Sequence, residues 1–288
     1  MKENITDRLL HITVTIVLCI MGFIALIPLI SVVSMSFSSK AAADMNIVNL
    51  LPVGFTLDSW KYIISDNAVW RAFFVTLSST LIGTVAALFI TTLMAYPLSK
   101  PEFTVGNIVM LFVIITMIFK APVVPYFLTL KDMGLRNNPL VLFLPHMLTA
   151  YNMAIMRTFF KQFPQEVEEA ARIDGCGNFG ILFKIIIPSS KAILATVGLF
   201  YGVTMWNQFQ HPLMFISDTK LFPLQLKIRQ LISGGAEMTN VTMASNVNYT
   251  ESTLSAAAVV FAILPIIAIY PWLQKYFAKG AMLGSVKG

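Results

Sequence analysis

The sequence predicts an all-α integral membrane protein with six transmembrane helices, and three observations support this fold class. Charged residues make up 12% of the 288 residues, whereas soluble proteins carry about a quarter. Hydrophobic residues reach 57%, and the mean hydropathy is +0.75. Six apolar runs, some with flanking residues, are long enough to cross about 30 Å of hydrocarbon. They are residues 9–37, 72–98, 107–119, 140–160, 192–216 and 254–273.

The amino-terminal third of the chain predicts two spans and one helix at the membrane surface. Residues 9–37 are far longer than the core of a signal peptide and lack a small-residue cleavage site, so we expect them to remain as a span. Neighbouring helices can tolerate a kink at Pro28. Within the polar connection 38–71, the stretch 56–64 carries Trp60 and Tyr62, which favour the interface. The second span, 72–98, ends in a tight turn at 99–106.

The rest of the chain predicts four further spans. Pro122 and Pro125 end the third span, and residues 123–133 predict a short interfacial helix behind it. The fourth, fifth and sixth spans are predicted at residues 140–160, 192–216 and 254–273. An even number of spans places both termini on the same side of the membrane. The chain is interpreted as a single domain that covers residues 1–288.

A dense polar interruption, residues 163–188, separates the fourth span from the fifth. Pro164 suits the first turn of a helix, and the three glutamates that follow lie where the helix dipole favours negative charge. Val167, Ala170 and Ala171 recur at i, i+3 and i+4, so one face of this helix is predicted to be small and apolar. Gly175 supplies the left-handed turn that ends it.

A second short helix is predicted behind that turn. It is capped near Asn178, and one side carries four apolar residues, Phe179, Leu182, Phe183 and Ile186. Two short helices joined at a glycine would form a rigid knob that fits a groove in another protein. Spacing alone leaves open a second interpretation, an amphipathic loop that lies on the membrane.

The sequence shows no pattern that predicts catalysis, so no catalytic residue and no metal site is expected. It has no G-x-x-x-x-G-K-[ST] phosphate cradle, and the chain is therefore not expected to hydrolyse ATP. His11, His146 and His211 lie in different segments without metal-ligand spacing, and each is interpreted as an interfacial or pore-facing polar group. The net charge of +6 comes from isolated basic residues, which membrane loops explain better than nucleic acid.

The polar segment carries the resemblance to a known family. Glu169-Ala170-Ala171, then two residues, then Asp174-Gly175, with Pro188 thirteen residues past that glycine, resembles the EAA loop of permease subunits in ABC importers. Residues 59–62 and 280–288 look most like a subgroup of these permeases that handles oligosaccharides, including uronate polymers such as alginate. Further matches narrow the likeness to the carbohydrate-importer branch with its MalG-like permeases. These matches are residues 134–137, 156–160, 206–207, 212–213, 222–226 and 274–287.

The resemblance implies a permease subunit of an ATP-driven importer in a bacterial inner membrane. Its expected partners are a second homologous permease, a homodimeric ABC ATPase, an extracytoplasmic solute-binding protein, a carbohydrate and the bilayer. ATP and magnesium would be bound by the ATPase subunits, so no cofactor is expected here. In the family the EAA helices dock on the ATPase, which implies this role for Glu169, Ala170, Ala171, Asp174 and Gly175. Helix capping is the alternative role of Glu169.

The resemblance also decides the orientation. The loop at 163–188 is expected in the cytoplasm together with both termini. That placement gives 11 Lys and Arg inside against 9 outside, a slight bias that supports it only weakly.

Polar residues in the fourth and fifth spans are candidates for the substrate path. Aromatic faces stack on sugar rings and amides hydrogen-bond hydroxyl groups, so this mixture suits a carbohydrate. The alternative is that these amides join helices to one another. The candidates are Tyr151, Asn152, Trp206, Asn207, Gln208 and His211.

Two rival functions predict other features. A secondary transporter or channel driven by an ion gradient would carry paired carboxylates inside the membrane, but none of the six predicted spans contains Asp or Glu. A membrane-anchored scaffold would have little need for a polar fifth span. Both rivals rank below the importer.

Overall fold

The computed structural model describes residues 5–233 and 248–285, and these ranges contain helices and no strand. The α-helices are α1 (Ile5–Ser36), α2 (Lys40–Asp44), α3 (Asp58–Ser65), α4 (Asn67–Ser99), α5 (Gly106–Ile118), α6 (Val123–Asp132), α7 (Ala150–Lys161), α8 (Gln165–Ile173), α9 (Asn178–Ile181), α10 (Ile187–Ser189), α11 (Lys191–Trp206), α12 (Gln210–Phe215), α13 (Leu224–Ser233) and α14 (Glu251–Ser285). Short 3₁₀ turns occupy Pro139–Leu142, Leu144–His146 and Thr219–Leu221, and a π-helical turn occupies Leu182–Ile186.

Three helices in the described ranges are long and apolar enough to cross a membrane by themselves. They are Arg8–Ser36 within α1, the whole of α4, and Glu251–Pro271 within α14. Three bent pairs meet the same criterion together: α5 with α6 at 116°, the 3₁₀ turns with α7 at 48°, and residues 178–189 with α11 at 84°. The count reaches six if each bent pair is one span.

The residues of the predicted fourth and fifth spans do not form single continuous helices. Residues 140–160 open as two 3₁₀ turns, and α7 begins only at Ala150. Similarly, α11 ends at Trp206, and the chain resumes as α12 after Phe209. Pro139, Pro145 and Pro212, which lack the amide hydrogen of a continuous helix, lie in these interrupted segments. Proline alone does not account for the breaks, because Pro28 lies inside α1 and Pro265 and Pro271 lie inside α14. Pro139 is the first residue and Pro145 the second residue of its 3₁₀ turn, and Pro212 is the third residue of α12.

Two compact units divide the chain. The first combines the residues up to Val69 with Ile228–Leu264. In it, Phe37 stacks on Phe55 and Trp60, with ring centroids 5.7 and 5.5 Å apart. The hydroxyl of Ser59 in α3 donates to that of Thr253 in α14 at 3.0 Å. By contrast, all side chains from residue 8 to 30 are exposed, so this part of α1 is apolar on every side, as a membrane span is.

The second unit joins Trp70–Lys227 to the residues from Pro265 onward, and its described side chains form two apolar cores. The larger joins α4, α7, α8, residues 181–186 and α11. At its centre the Tyr201 hydroxyl lies 2.7 Å from the Thr91 hydroxyl and accepts the backbone amide of Thr149 at 3.2 Å. The smaller core joins α6, the turn Pro139–Leu142 and α12. The larger core is the one that positions the polar segment 163–188.

Candidate functional site

The polar segment 163–188 forms the short helices that the sequence predicts, with a left-handed turn between them. Helix α8 begins directly after Pro164 and ends at Ile173, with Glu166 and Glu168 in its first turn. Gly175 follows with a φ of +84°, in the left-handed region that glycine adopts without strain. Helix α9 begins at Asn178 after an N-cap at Gly177, one residue before the predicted cap.

Of the three residues on the predicted small apolar face of α8, only Ala171 packs against the rest of the chain. Glu168 and Ala171 are buried, at 4% and 6% exposure, whereas Val167 is 41% exposed and Ala170 is also exposed. Glu168 can occupy the buried face because other side chains satisfy its carboxylate. The outward face therefore consists of Glu166, Val167, Glu169, Ala170 and Ile173, the last of which is 86% exposed.

The four apolar residues predicted on one side of the second short helix differ in burial. Phe179 and Phe183 are exposed, at 73% and 44%, whereas Leu182 and Ile186 are buried together with Ile181. Phe179 lies in α9, and a π-helical turn follows at Leu182–Ile186. A π turn bonds residues five apart, so it shifts the register of the faces from the 3.6-residue period that the prediction assumed.

The carboxylate of Glu168 is held by the end of α4. The Lys100 ammonium forms an ion pair with Glu168 Oε1, and the side chains of the two residues are 17% and 5% exposed. The Tyr96 hydroxyl donates to Glu168 Oε2 at 3.5 Å. Lys100 Nζ also lies 4.7 Å from the centre of the Tyr96 ring, within the range of a cation–π contact. This three-residue contact joins the polar segment to a predicted span.

Sequence reasoning missed this contact, because it interpreted Glu168 only as a charge that suits the helix dipole. The i, i+3 spacing of Glu168 and Ala171 was the available signal, since it also puts a glutamate on the face of an alanine. A second signal was Lys100, the one basic residue in the predicted turn 99–106.

Two arginines, Arg157 and Arg172, make further contacts in the same region. Arg157 of α7 donates from Nε to the Leu98 carbonyl at 2.7 Å and from Nη2 to Asn107 Oδ1 at 3.1 Å. Arg172 of α8 lies 3.9 Å from Glu102, but both side chains are about half exposed. Next to these residues, a cleft of 620 Å³ is lined by Tyr96, Lys100, Phe103, Arg172, Phe179 and Leu182, among others.

The structure separates the candidates for the substrate path into two sets. Asn152, Trp206 and Gln208 are buried, and Gln208 Nε2 donates to the Leu142 carbonyl at 2.6 Å. This bond supports the interhelical alternative for Gln208. Tyr151, at 54% exposure, and Asn207 are exposed. Asn207 nevertheless donates to the carbonyl one turn before it, Val203, at 2.9 Å.

His211 has a partner that the sequence did not reveal. Its ring lies 4.5 Å from the ring of His146, and its Nε2 is 2.9 Å from the hydroxyl of Tyr126. These residues come from α12, the 3₁₀ turn before α7, and α6. In the described ranges, no group of three or more His, Cys, Asp or Glu side chains could hold a metal ion. The side chains of the predicted tail match, 274–287, lie outside the described residues.

Comparisons with known proteins agree with this architecture. A bacterial ABC transporter involved in the import of the acidic polysaccharide alginate has a chain of known crystal structure that matches with a TM-score of 0.87 and 31% identity, covering 96% of this chain and 99% of that one. The polygalacturonan/rhamnogalacturonan transport system permease protein YtcP of Bacillus subtilis (strain 168) is 36% identical over the full length of both chains. Protein LplC of the same organism is 39% identical, over 93% of this chain and 91% of its own.

Several apolar spans, some of them broken, with the short polar helix α8 between two of them, are the architecture of a multi-span transport permease. The chain belongs to the family described as the binding-protein-dependent transport system inner membrane component, whose model matches residues 83–282. It is therefore an inner-membrane permease, which agrees with the resemblance seen in the sequence.

Proposed function

We propose that this permease forms half of the pathway of an ATP-driven importer for oligosaccharides or polysaccharides that contain uronate units. The likeness along the whole chain to YtcP, named for polygalacturonan and rhamnogalacturonan, carries this proposal. The alginate importer supports it, because its substrate is also an acidic polysaccharide. An ion-gradient carrier is the alternative.

The other half of the pathway would be a second homologous permease. Two copies of an ABC ATPase would bind and hydrolyse ATP on the cytoplasmic side, and a solute-binding protein would deliver the sugar from outside. The six spans would form one domain, residues 1–288, with both termini and the segment 163–188 in the cytoplasm. Residues 222–233 would then belong to the outer surface that meets the solute-binding protein.

Helix α8 would couple the ATPase to the spans. Its outward face combines carboxylates with small and apolar side chains, of which Glu169, Ala170 and Ile173 are exposed. Such a surface fits a partner groove that offers a basic group, and exposed Ala170 allows close approach. Gly175 and Asp174 would end the helix and fix its direction. ATP-driven closure of the ATPases would move α8, and the spans would rock between inward-open and outward-open states.

Exposure favours Tyr151 and Asn207 as residues that meet the sugar. A polar side chain on a span is costly when it faces lipid, so an exposed amide there favours a water-filled path or a partner subunit. Buried Asn152, Trp206 and Gln208 and half-buried His211 would shape the wall of the path from behind.

The experiment is uptake by proteoliposomes that contain the purified complex of this chain with its second permease and ATPase. The solute-binding protein and radiolabelled oligogalacturonate or oligoalginate are added, with maltotriose as a neutral control. We expect ATP-dependent uptake of an acidic oligosaccharide. Glu169→Lys should lower it by about tenfold or more, because a charge at an interface is reversed. Glu102→Lys, an exposed carboxylate outside α8, is the matched control.

Uptake that persists without ATP and follows an imposed ion gradient would support the alternative carrier. Uptake of maltotriose in preference to both acidic probes would reject the uronate class while leaving the importer intact.

A further inference from the structure

We propose that the buried Lys100–Glu168 ion pair, called the tie below, stays intact throughout the transport cycle and transmits the movement of α8 to α4. Both residues are therefore positioning residues for coupling. The inference rests on the proposed function, since it takes α8 as the helix that meets the ATPase. It concerns a contact within the permease rather than the docking surface itself.

Burial distinguishes Glu168 from the other carboxylates of α8. Glu166 and Glu169 are exposed, whereas the Glu168 side chain is 5% exposed and that of Lys100 is 17% exposed. An ion pair that is shielded from water is strongly sensitive to the loss of one partner, because the remaining charge stays buried without compensation. The pair therefore resists separation when α8 is displaced.

The position of Lys100 gives the tie its mechanical consequence. Lys100 follows Ser99, the last residue of the 33-residue helix α4. Tyr96, one turn earlier, donates to the same carboxylate and is 6% exposed. Glu168 thus contacts the last turn of α4 and the residue directly after it, so a shift of α8 displaces that end of α4 directly.

A second contact holds the same end of α4 from another side. Arg157 of α7 donates to the Leu98 carbonyl at 2.7 Å, and the ring of Tyr96 meets that of Phe160 in α7 edge-on at 6.5 Å. Ala171, on the buried face of α8, belongs to the same core as Tyr96 and Phe160. The end of α4, α7 and α8 therefore form one packed group, in which the Lys100–Glu168 pair is the charged link.

The chain offers a matched comparison between the same two regions. Arg172 of α8 and Glu102, two residues after Lys100, lie 3.9 Å apart with side chains 45% and 56% exposed. Water and salt screen such a pair, and exposed pairs contribute little. If burial gives the Lys100–Glu168 pair its role in coupling, reversing the charge of exposed Glu102 should not have the same effect as reversing the charge of Lys100.

The test is charge reversal in the complete complex in proteoliposomes, with uptake and ATP hydrolysis measured together. Lys100→Glu and Glu168→Lys should each lower the amount of oligogalacturonate or oligoalginate imported per ATP by about tenfold or more. The double variant restores opposite charges and should recover that ratio to within about threefold of the wild type. Glu102→Lys should stay within about twofold.

A chemical cross-link separates a permanent tie from a contact that breaks during each cycle. In a background with Cys19→Ser and Cys176→Ser, the pair Lys100→Cys and Glu168→Cys is joined by a short bismaleimide. Transport should be higher with the cross-link than in the same variant without it. This readout remains informative if a charge-reversed chain fails to insert.

Three results would overturn the tie. They are single reversals that import as much sugar per ATP as the wild type, a double variant no better than the singles, and loss of transport on cross-linking. A wild-type complex without ATP-dependent uptake would reject the proposed function and the tie with it. If the wild-type complex imports sugar and the single variants import as much sugar per ATP as it does, only the tie is rejected.

Discussion

Two neighbouring glutamates on α8 show how environment, rather than residue type, sets a role. Glu168 is buried against Lys100 and Tyr96, whereas Glu169 is exposed on the outward face. From sequence, both look like charges that suit the start of a helix. The difference depends on which side of α8 meets α4, and a pairing between residues 68 positions apart cannot be inferred from local spacing. The predicted docking residue Glu169 remains a proposal.

At the centre of the larger core, the Tyr201 hydroxyl links two spans and a backbone amide. Tyr201→Phe removes the partner of the Thr91 hydroxyl and the Thr149 amide, and should destabilise the protein by about 1–3 kcal/mol. Thermal unfolding in detergent measures this as a lower midpoint. Tyr270→Phe, at a residue that is 53% exposed, is the matched control. Equal midpoints for the two variants would contradict the role of the hydroxyl.

At the scale of elements, sequence predicted the positions of helices better than their continuity. The long helices α1, α4 and α14 cover the first, second and sixth predicted spans, because their apolar runs have few internal breaks. The fourth and fifth spans are interrupted at residues 147–149 and 207–209, and a hydropathy pattern does not register such breaks. The π turn at Leu182–Ile186 was not predicted for a related reason, since a π turn has no distinct composition.

The turn between α8 and α9 provides a prediction at this scale. Gly175 has a φ of +84°, and no other part of the chain lies within 4 Å of the point that a Cβ atom would occupy, so only the backbone opposes a side chain there. Gly175→Ala should cost about 1–2 kcal/mol locally and lower uptake by the complex. Gly177→Ala is the matched control, because its φ is −73° and its surroundings are equally open. Equal uptake by both variants would show that the left-handed turn does not direct α8.

At the scale of the whole molecule, the orientation of the segment 163–188 can be tested by labelling. Ile173→Cys, in a chain with Cys19→Ser and Cys176→Ser, places a thiol at a site that is 86% exposed. If the segment is cytoplasmic, a membrane-impermeant maleimide should label it in inverted vesicles and not in intact cells. The assembled ATPase should protect it. Leu51→Cys, 77% exposed in the predicted outer connection, should show the opposite sidedness.

Labelling of Ile173→Cys from outside intact cells would invert the proposed topology. Equal labelling with and without the ATPase would remove α8 from the docking surface. These two outcomes are independent, because sidedness is measured on the chain in the membrane and protection on the complex.

The interruptions at residues 119–122, 147–149 and 207–209 also have a consequence for hydration. A helix satisfies its own amides and carbonyls, but each break in the chain releases some of these groups, and hydrocarbon offers them no partner. The chain satisfies some of these groups itself, since the Thr149 amide donates to the Tyr201 hydroxyl. Where a break lies at hydrocarbon depth, water or a neighbouring subunit must supply the hydrogen bonds that the chain does not. We therefore expect water to reach the breaks, and deuterium should enter the backbone there well before it enters α4.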